Sequence, residues 1–264
     1  MRFKNKDHTF AVCAYKESEY LEELLISLKK QTIKTNIIIA TSTPNAHIQS
    51  LADEYGVPVF VNTGEKGIAA DWNFALISAQ TPLVTIAHQD DTYEPEYAER
   101  IIAAINKEKE PIMAFSHYAE IRRDKKVFKN RLLSIKKCLL LPIKVSARSI
   151  FLRRMSLAFG NSICCPSVTY VREKMTDHLF DTSLKNSLDW NQWEILSRLK
   201  GSFIYIDEPL MCHRIYLGST TTEMIENRTR INEDYAIFCK FWPQPIAKLI
   251  TKVYAAGEKS NSLD

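Results

Sequence analysis

The six cysteines of this chain, Cys13, Cys138, Cys164, Cys165, Cys212 and Cys239, include no C-x-x-C pair. That lack leaves a zinc site unsupported. The thiols are expected to be reduced and mostly buried, as in a cytosolic protein. No stretch approaches the roughly 18 apolar residues that would suggest a membrane span. The charged start, Met1 to Asp7, leads straight into an apolar run without a signal-peptide segment before it. There is no internal repeat and no low-complexity tract. The formal net charge of +4 is too mild to imply nucleic acid by itself. What is present is ordinary for a soluble globular protein: 264 residues, 45% hydrophobic and 25% charged. Such a length fits one large domain, or one domain with a helical appendage. It can bury a sizeable core without disulfides.

Short apolar runs alternate with segments of helical period. Phe10 to Ala14, Asn36 to Ala40, Val57 to Val61 and Leu83 to Ala87 read as strands. Between them, Glu19 to Lys30 carries Leu21, Leu24, Leu25 and Leu28 on one face. Pro44-Asn45 opens a helix that Gly56 closes, and Ile68 to Ala79 is a third helix. This order implies a mostly parallel sheet flanked by helices, with ligands bound beyond the carboxyl ends of its strands. Three polar clusters lie at those ends: Tyr15-Lys16-Glu17, Thr41-Ser42-Thr43 and His88-Gln89-Asp90-Asp91. Further on, Pro95 to Lys107 reads as a helix, and Ile112 to Ser116 and Phe203 to Ile206 as strands. From about Glu223 the chain reads as helical, with Ile231, Tyr235, Phe238 and Trp242 on one face.

The last of the three clusters places carboxylates directly after a buried strand. Mg²⁺ takes one or two oxygen ligands from protein and the rest from phosphate and water, so this arrangement suits a metal that bridges a diphosphate. The alternative is that the aspartates shape the following turn.

Several segments in order resemble the family-2 glycosyltransferases, which have the GT-A fold. A first strand leads into a Pro-Ala-Tyr-Asn-Glu-like loop, here Cys13-Ala14-Tyr15-Lys16-Glu17. The next helix ends in Ser27-Leu28-Lys29-Lys30-Gln31-Thr32. A later helix runs from Gly67 through Asp71-Trp72-Asn73-Phe74-Ala75-Leu76. The Asp-x-Asp metal motif falls on His88-Gln89-Asp90-Asp91. The resemblance implies an α/β GT-A domain over 1–222, with a Rossmann-like sheet, a basic helical insert over about 122–154 and a helical extension over 223–264. It implies a nucleotide diphosphosugar donor held through Ala14, Tyr15, Glu17, Thr41, Ser42, Lys66, Asn73, His88, Gln89, Asp90 and Arg214. It also implies a divalent metal, Mn²⁺ or Mg²⁺, on Asp90, with His88 and His213 as further candidate ligands. Two departures stand out. His88 replaces the first aspartate of the motif, and imidazole suits Mn²⁺ better than Mg²⁺. Thr41-Ser42-Thr43-Pro44 replaces the family's Asp-Asp-Gly-Ser, so the carboxylate that often reads a pyrimidine is missing, with only hydroxyls in its place.

The run Ser187-Leu188-Asp189-Trp190-Asn191-Gln192-Trp193-Glu194 resembles the family's Glu-Asp-Trp-Asp-Leu-Trp motif. Its general base maps onto Asp189. A carboxylate there would take the proton of an acceptor hydroxyl. The residues alone read equally as an N-cap at Asp189 with Gln192 in a capping box, opening a helix from Trp190 to Lys200 that Gly201 stops. Trp190 and Trp193 read as core or pocket wall. Asp207 to Arg214 follows a strand and resembles the family's closing segment. Arg214 is the residue expected to neutralise diphosphate oxygens. The stretch Phe159 to Ser167 lies where the family builds its acceptor side; it reads equally as a turn before a strand.

Between Arg122 and Arg154 lie twelve Lys or Arg residues, interleaved with aliphatic ones, and Asp124 is the sole acid. Such a segment suits an anionic membrane surface, or it is a solvated basic face over a core helix. Aromatics are too few for nucleic acid. The expected protein is therefore cytoplasmic, with a peripheral seat on the inner face of the membrane. It would transfer a sugar, with inversion, to a glycan or lipid-linked acceptor. A nucleotidyltransferase would carry a glycine-rich loop after the first strand, and Cys13-Ala14-Tyr15-Lys16 has none. A degenerate GT-A module that binds a carbohydrate or membrane partner is the non-enzymatic alternative.

Overall fold

A computed structural model describes residues 2–216 and 228–259. Strand β1 (His8–Ala14) is followed by α1 (Leu21–Lys29), whose Leu21, Leu24, Leu25 and Leu28 are all buried, as their helical spacing requires. After β2 (Asn36–Thr41), Asn45 caps α2 (Ala46–Tyr55) by accepting from the Ile48 amide at 2.9 Å. Gly56, at φ 58°, ends that helix in the left-handed conformation. Then come β3 (Val59–Val61), α3 (Ile68–Ser78), β4 (Leu83–His88), β5 (Thr92–Tyr93), α4 (Tyr97–Asn106), β6 (Pro111–Arg122) and β7 (Lys125–Val127). Three helices follow: α5 (Arg131–Leu139), α6 (Leu141–Val145) and α7 (Ile150–Leu157). The chain continues with β8 (Val168–Val171), α8 (Leu188–Leu196), β9 (Ser202–Ile215), α9 (Arg228–Phe238) and α10 (Gln244–Lys259).

The sheet order is β3-β2-β1-β4-β8-β6-β9-β5, with β7 paired to β6. Strands β3, β2, β1, β4, β6 and β9 run in one direction, and β8, β5 and β7 run against them. The fold is thus mixed α/β around a mostly parallel sheet. Two apolar clusters form the core. One holds Ile86, Phe115, Tyr170, Trp190, Trp193 and Phe203, the other the leucines of α1 with Phe10, Tyr97 and Ile101.

Strand ends lie close to their expected places at the first four strands and diverge later. Strand β6 runs on to Arg122 although Ser116, His117 and Glu120 interrupt its apolar run. All three are buried, and the Glu120 carboxylate accepts from Arg122 Nε and Asn130 Nδ2, both at 2.7 Å. Strand β9 also continues, so that Asp207 to Arg214 lies within the strand instead of after it. The helix expected over Trp190–Lys200 spans Leu188–Leu196, with Ser187 rather than Asp189 at its N-cap. Its entry is held by Glu233 of α9, which accepts from the amides of Lys185, Asn186 and Ser187. Gln192 plays no part in a capping box; its amide donates to the His178 carbonyl. Trp190 and Trp193 are core residues, not sugar platforms.

The expected start of the C-terminal extension, residues 223–227, lies outside the described residues. Helices α9 and α10 pack on the same core as the sheet. Phe238 meets Trp190 edge-on at 4.8 Å, and Tyr254 lies 5.8 Å from Trp190. Ile231 does not share the buried face with Phe238; it is 41% exposed. All six cysteines are free: Cys164, Cys165 and Cys212 are buried and Cys138 is exposed.

The basic insert differs most from its sequence appearance. Its cations find acids elsewhere in the chain. Arg122 pairs with Glu120, Lys126 with Glu94, Lys137 and Lys144 with Asp207, Arg148 with Glu108 and Arg154 with Glu194. Arg153 is fully buried and donates to the carbonyls of Ser197, Leu199 and Gly201. Much of the charge that suggested a membrane surface is paired within the chain, at Lys126, Lys137, Lys144 and Arg148 on its exposed surface. Among the described residues, no helix is long and apolar enough to cross a membrane.

Candidate active site

The parallel register brings the three polar strand ends together. Cys13 is opposite His88 on one side of β1, and Ala14 is opposite Thr41 on the other. Gln89 then ties two of the ends. Its side-chain oxygen accepts from the Tyr15 amide at 2.8 Å, and its nitrogen donates to the Tyr15 carbonyl at 3.1 Å. Both ends of that amide are engaged by backbone. Lys16 next to it sits at φ 55°, in the left-handed region, and its amide donates to Thr43 Oγ1 at 2.6 Å. Tyr15 itself is 51% exposed.

His88, Asp90 and Asp91 form one cluster, with ligand-capable atoms within 4.8 Å of one another. Asp91 is its buried centre. One of its oxygens accepts from the Arg214 amide at 2.9 Å and lies 3.0 Å from His213 Nδ1. The other oxygen has no hydrogen-bond partner, and neither does His88 Nε2. Two orphaned buried polar atoms beside a half-buried carboxylate are what a cation site requires. One imidazole among carboxylates is a donor set that fits Mn²⁺ better than Mg²⁺.

Electrostatics agree with a strained cluster. Burial is the main reason that the Asp90 pKa is raised, and Asp91 adds to it. Burial lowers the pKa of His88 against the pull of Asp91 and Asp90. At His213 burial also works against the charge, but Asp91 and Asp90 outweigh it and the pKa is raised. The Tyr216 phenol lies against Asp90, and burial together with that charge raises its pKa.

The remaining candidates divide. Ala14, Thr41 and Ser42 are buried at the strand ends, while Glu17 and Lys66 are exposed on the loops beside them. Asn73 is not presented to a ligand. It is buried, and its amide forms two hydrogen bonds with the backbone of Phe180, at 2.9 and 2.8 Å. Arg214 is also engaged. It donates to the Asp90 carbonyl at 3.0 Å, pairs with Glu23 and Asp124, and lies 4.3 Å from the Tyr20 ring centre. That bond to the Asp90 carbonyl braces the Asp90 loop.

Asp189 sits in the first turn of α8, with one oxygen accepting from Asn161 Nδ2 at 2.9 Å and the other from the Trp190 amide at 2.7 Å. Burial raises its pKa, against those two hydrogen bonds. The Asn161 side-chain oxygen has no partner.

Two residues of the Gly67–Leu76 motif that were not among the expected ligand residues belong to this region. Trp72 stacks on His88, with ring centres 5.1 Å apart and planes 18° apart. Asp71, one residue earlier in α3, accepts from Ser42 Oγ at 2.8 Å and from Asn62 Nδ2 at 3.0 Å. Asp71 thus places a carboxylate beside the end of β2, where the strand itself ends in hydroxyls.

The sequence profile of Glycosyl transferase family 2 matches residues 9–180. The chain belongs to that family. No curated protein sequence matches it. Among solved structures, it is similar to TarS 1–349 of S. aureus in complex with UDP-GlcNAc, with a TM-score of 0.64 and 14% identity over 92% of this chain and 70% of that one. It is similar to the mannosyltransferase PcManGT of Pyrobaculum calidifontis, in complex with GDP-Man and Mn²⁺, with a TM-score of 0.66 and 14% identity over 96% and 70%. GalNAc-T7 with UDP, GalNAc and Mn²⁺ gives 0.58 and 15% over 86% and 49%. These likenesses establish the GT-A fold.

Proposed function

We propose that the protein transfers a sugar from a nucleotide diphosphosugar to a hydroxyl of a glycan or lipid-linked acceptor, with inversion at the anomeric carbon. The observation that carries this reading is the pair of carboxylate sites on one family-2 scaffold: the His88–Asp90–Asp91 cluster at the strand ends, and Asp189 at the entry to α8. Base and ribose rest on Ala14, Tyr15, Glu17, Thr41, Ser42, Lys66 and Asp71. Asp90 and His88 hold the divalent metal, with Asp91 and His213 behind them. When bound, the metal supplies charge for the departing diphosphate. Asn73, Gln89 and Arg214 act by fixing α3, the Tyr15 loop and the Asp90 loop.

Asp189 accepts the acceptor hydroxyl's proton as its oxygen bonds to the anomeric carbon and the bond to the diphosphate breaks. A carboxylate whose pKa burial has raised is a stronger base for that step. Asn161 and the Trp190 amide hold it in one orientation.

The test is a thermal-shift panel of UDP-, GDP- and other nucleotide sugars with Mn²⁺ or Mg²⁺, followed by donor hydrolysis without acceptor. A ligand at 100 times its Kd stabilises by about 2.7 kcal/mol. A panel in which no nucleotide sugar shifts the transition would refute the reading. A shift without any turnover would instead make the protein a binding module. The proposed seat is cytoplasmic, on the inner face of the membrane, near the acceptor.

A further inference from the structure

Lys136 behaves unlike the other cations of the basic insert. Helix α5 is anchored to β6 through Asn130, which caps it by accepting from the Leu133 amide at 2.8 Å and donates to Glu120 at 2.7 Å. Its inward face carries Leu133, Lys136 and Leu140, at i, i+3 and i+7, and both leucines are buried. Lys136 thus occupies a core-facing position. The next residue, Lys137, turns out to Asp207.

The Lys136 ammonium donates to Tyr118 Oη at 3.0 Å and lies 5.3 Å from that ring's centre. Tyr118 is 3% exposed, and its ring is 6.4 Å from His213. His213 in turn meets Asp91. Through Tyr118 and His213 the ammonium is therefore linked to the Asp91 side of the carboxylate cluster. Among the described residues it has no carboxylate within ion-pair distance. An ammonium has three donors, and Tyr118 takes one. The Lys136 side chain is half-buried, and an arriving anion would supply the counter-charge that no described carboxylate provides.

We infer that Lys136 binds a phosphate oxygen of a substrate beside the His213–Asp91 pair, with Tyr118 orienting its ammonium. This rests on the glycosyltransferase reading. The phosphate comes either from the donor diphosphate or from a phosphate carried by the acceptor.

The test uses the full chain and its Lys136→Met and Lys136→Arg variants. Titration calorimetry measures UDP and GDP, and the corresponding nucleosides, with Mn²⁺ present. A second arm measures inorganic phosphate by thermal shift, with and without saturating nucleoside diphosphate. Lys136→Met should weaken one of the two phosphate probes about tenfold or more, the effect of losing a charge-assisted hydrogen bond. Nucleoside affinity should stay unchanged, and Lys136→Arg should retain most of the binding. A loss confined to the diphosphates assigns the donor; a loss confined to inorganic phosphate assigns the acceptor. Unchanged binding of both probes overturns the inference. If wild type binds no nucleoside diphosphate, the proposed function fails, and inorganic phosphate alone still decides the role of Lys136. If Lys136→Met does not fold, Tyr118→Phe takes its place: a several-fold loss for one probe supports the inference, and unchanged affinities refute it.

Discussion

Ser42 Oγ donates to Asp71 Oδ2 at 2.8 Å, which joins the end of β2 to the first turn of α3. Asn62, just after β3, donates to the other oxygen. Three elements therefore converge on one half-buried carboxylate where the family's strand-end acid is absent. A carboxylate accepts from a ring N–H, which uracil and guanine carry and which neutral cytosine and adenine lack on that edge. UDP and GDP should accordingly bind better than CDP and ADP. Asp71→Asn should weaken UDP or GDP by about tenfold, the loss expected for a hydrogen bond to a charged group. Calorimetric titration of the four nucleotides checks it. Equal affinity of variant and wild type would remove Asp71 from the site.

Asp189→Asn should reduce transfer by on the order of 10²–10⁴-fold, the usual contribution of a general base. The amide can be accommodated, because Asn161 has an unused oxygen and can turn over to accept from it. Stability gives the complementary signature. The folded pKa of Asp189 is raised, chiefly by burial, so its favourable contribution belongs to the protonated form. That contribution is lost as pH rises through the raised pKa. Removing the charge should leave the variant melting no lower than wild type at pH 7. In wild type, the acid limb of kcat/KM should lie above the roughly 3.9 of a free aspartate. A full-rate variant would show that another group takes the proton.

How much of this was legible beforehand depends on the range of the interactions. The first four strands and three helices follow from local periodicity, and the meeting of Tyr15, Thr41 and His88 follows from parallel topology. What could not be read are partnerships between distant residues. Lys137 and Lys144 look like membrane-facing charge until Asp207 comes alongside. Arg214 looks like a diphosphate ligand until Glu23, Asp124 and the Asp90 carbonyl engage it. Strand β6 hid its length because Ser116, His117 and Glu120 are polar yet buried. The helical position of Asp71 gives no hint that Ser42 lies beside it.

The donor set at the cluster predicts its metal. With His88 in the first position, Mn²⁺ should bind more tightly than Mg²⁺. His88→Asp should move the preference towards Mg²⁺, the harder ion. The imidazole stacks on Trp72, so the indole fluorescence should change on metal binding in wild type. Titrating both metals with nucleoside diphosphate present, by calorimetry and fluorescence, measures this without relying on turnover. An unchanged metal preference in His88→Asp would place His88 outside the coordination sphere.

Gly201 offers a prediction about the support beneath β9, the strand that carries His213 and Arg214. It has φ +138°, and a Cβ added there would meet the Glu110 carbonyl oxygen at 2.5 Å and Ile112 Cγ1 at 2.8 Å. Backbone lies on one side, so the clash cannot be relieved by turning a side chain. The Gly201 carbonyl also accepts from buried Arg153 at 2.6 Å, and the following amide, Ser202, donates to Glu110. A shift of Gly201 would disturb both bonds. Gly201→Ala should therefore destabilise by about 3 kcal/mol or more, from left-handed strain and overpacking together. Gly64→Ala is the control. Its Cβ would make a single 3.4 Å contact, with the Asn62 side chain, and it should change stability by no more than about 0.5 kcal/mol. Urea denaturation of the two variants decides between them. Equal midpoints would mean that the start of β9 yields more readily than its hydrogen bonds to Arg153 and Glu110 imply.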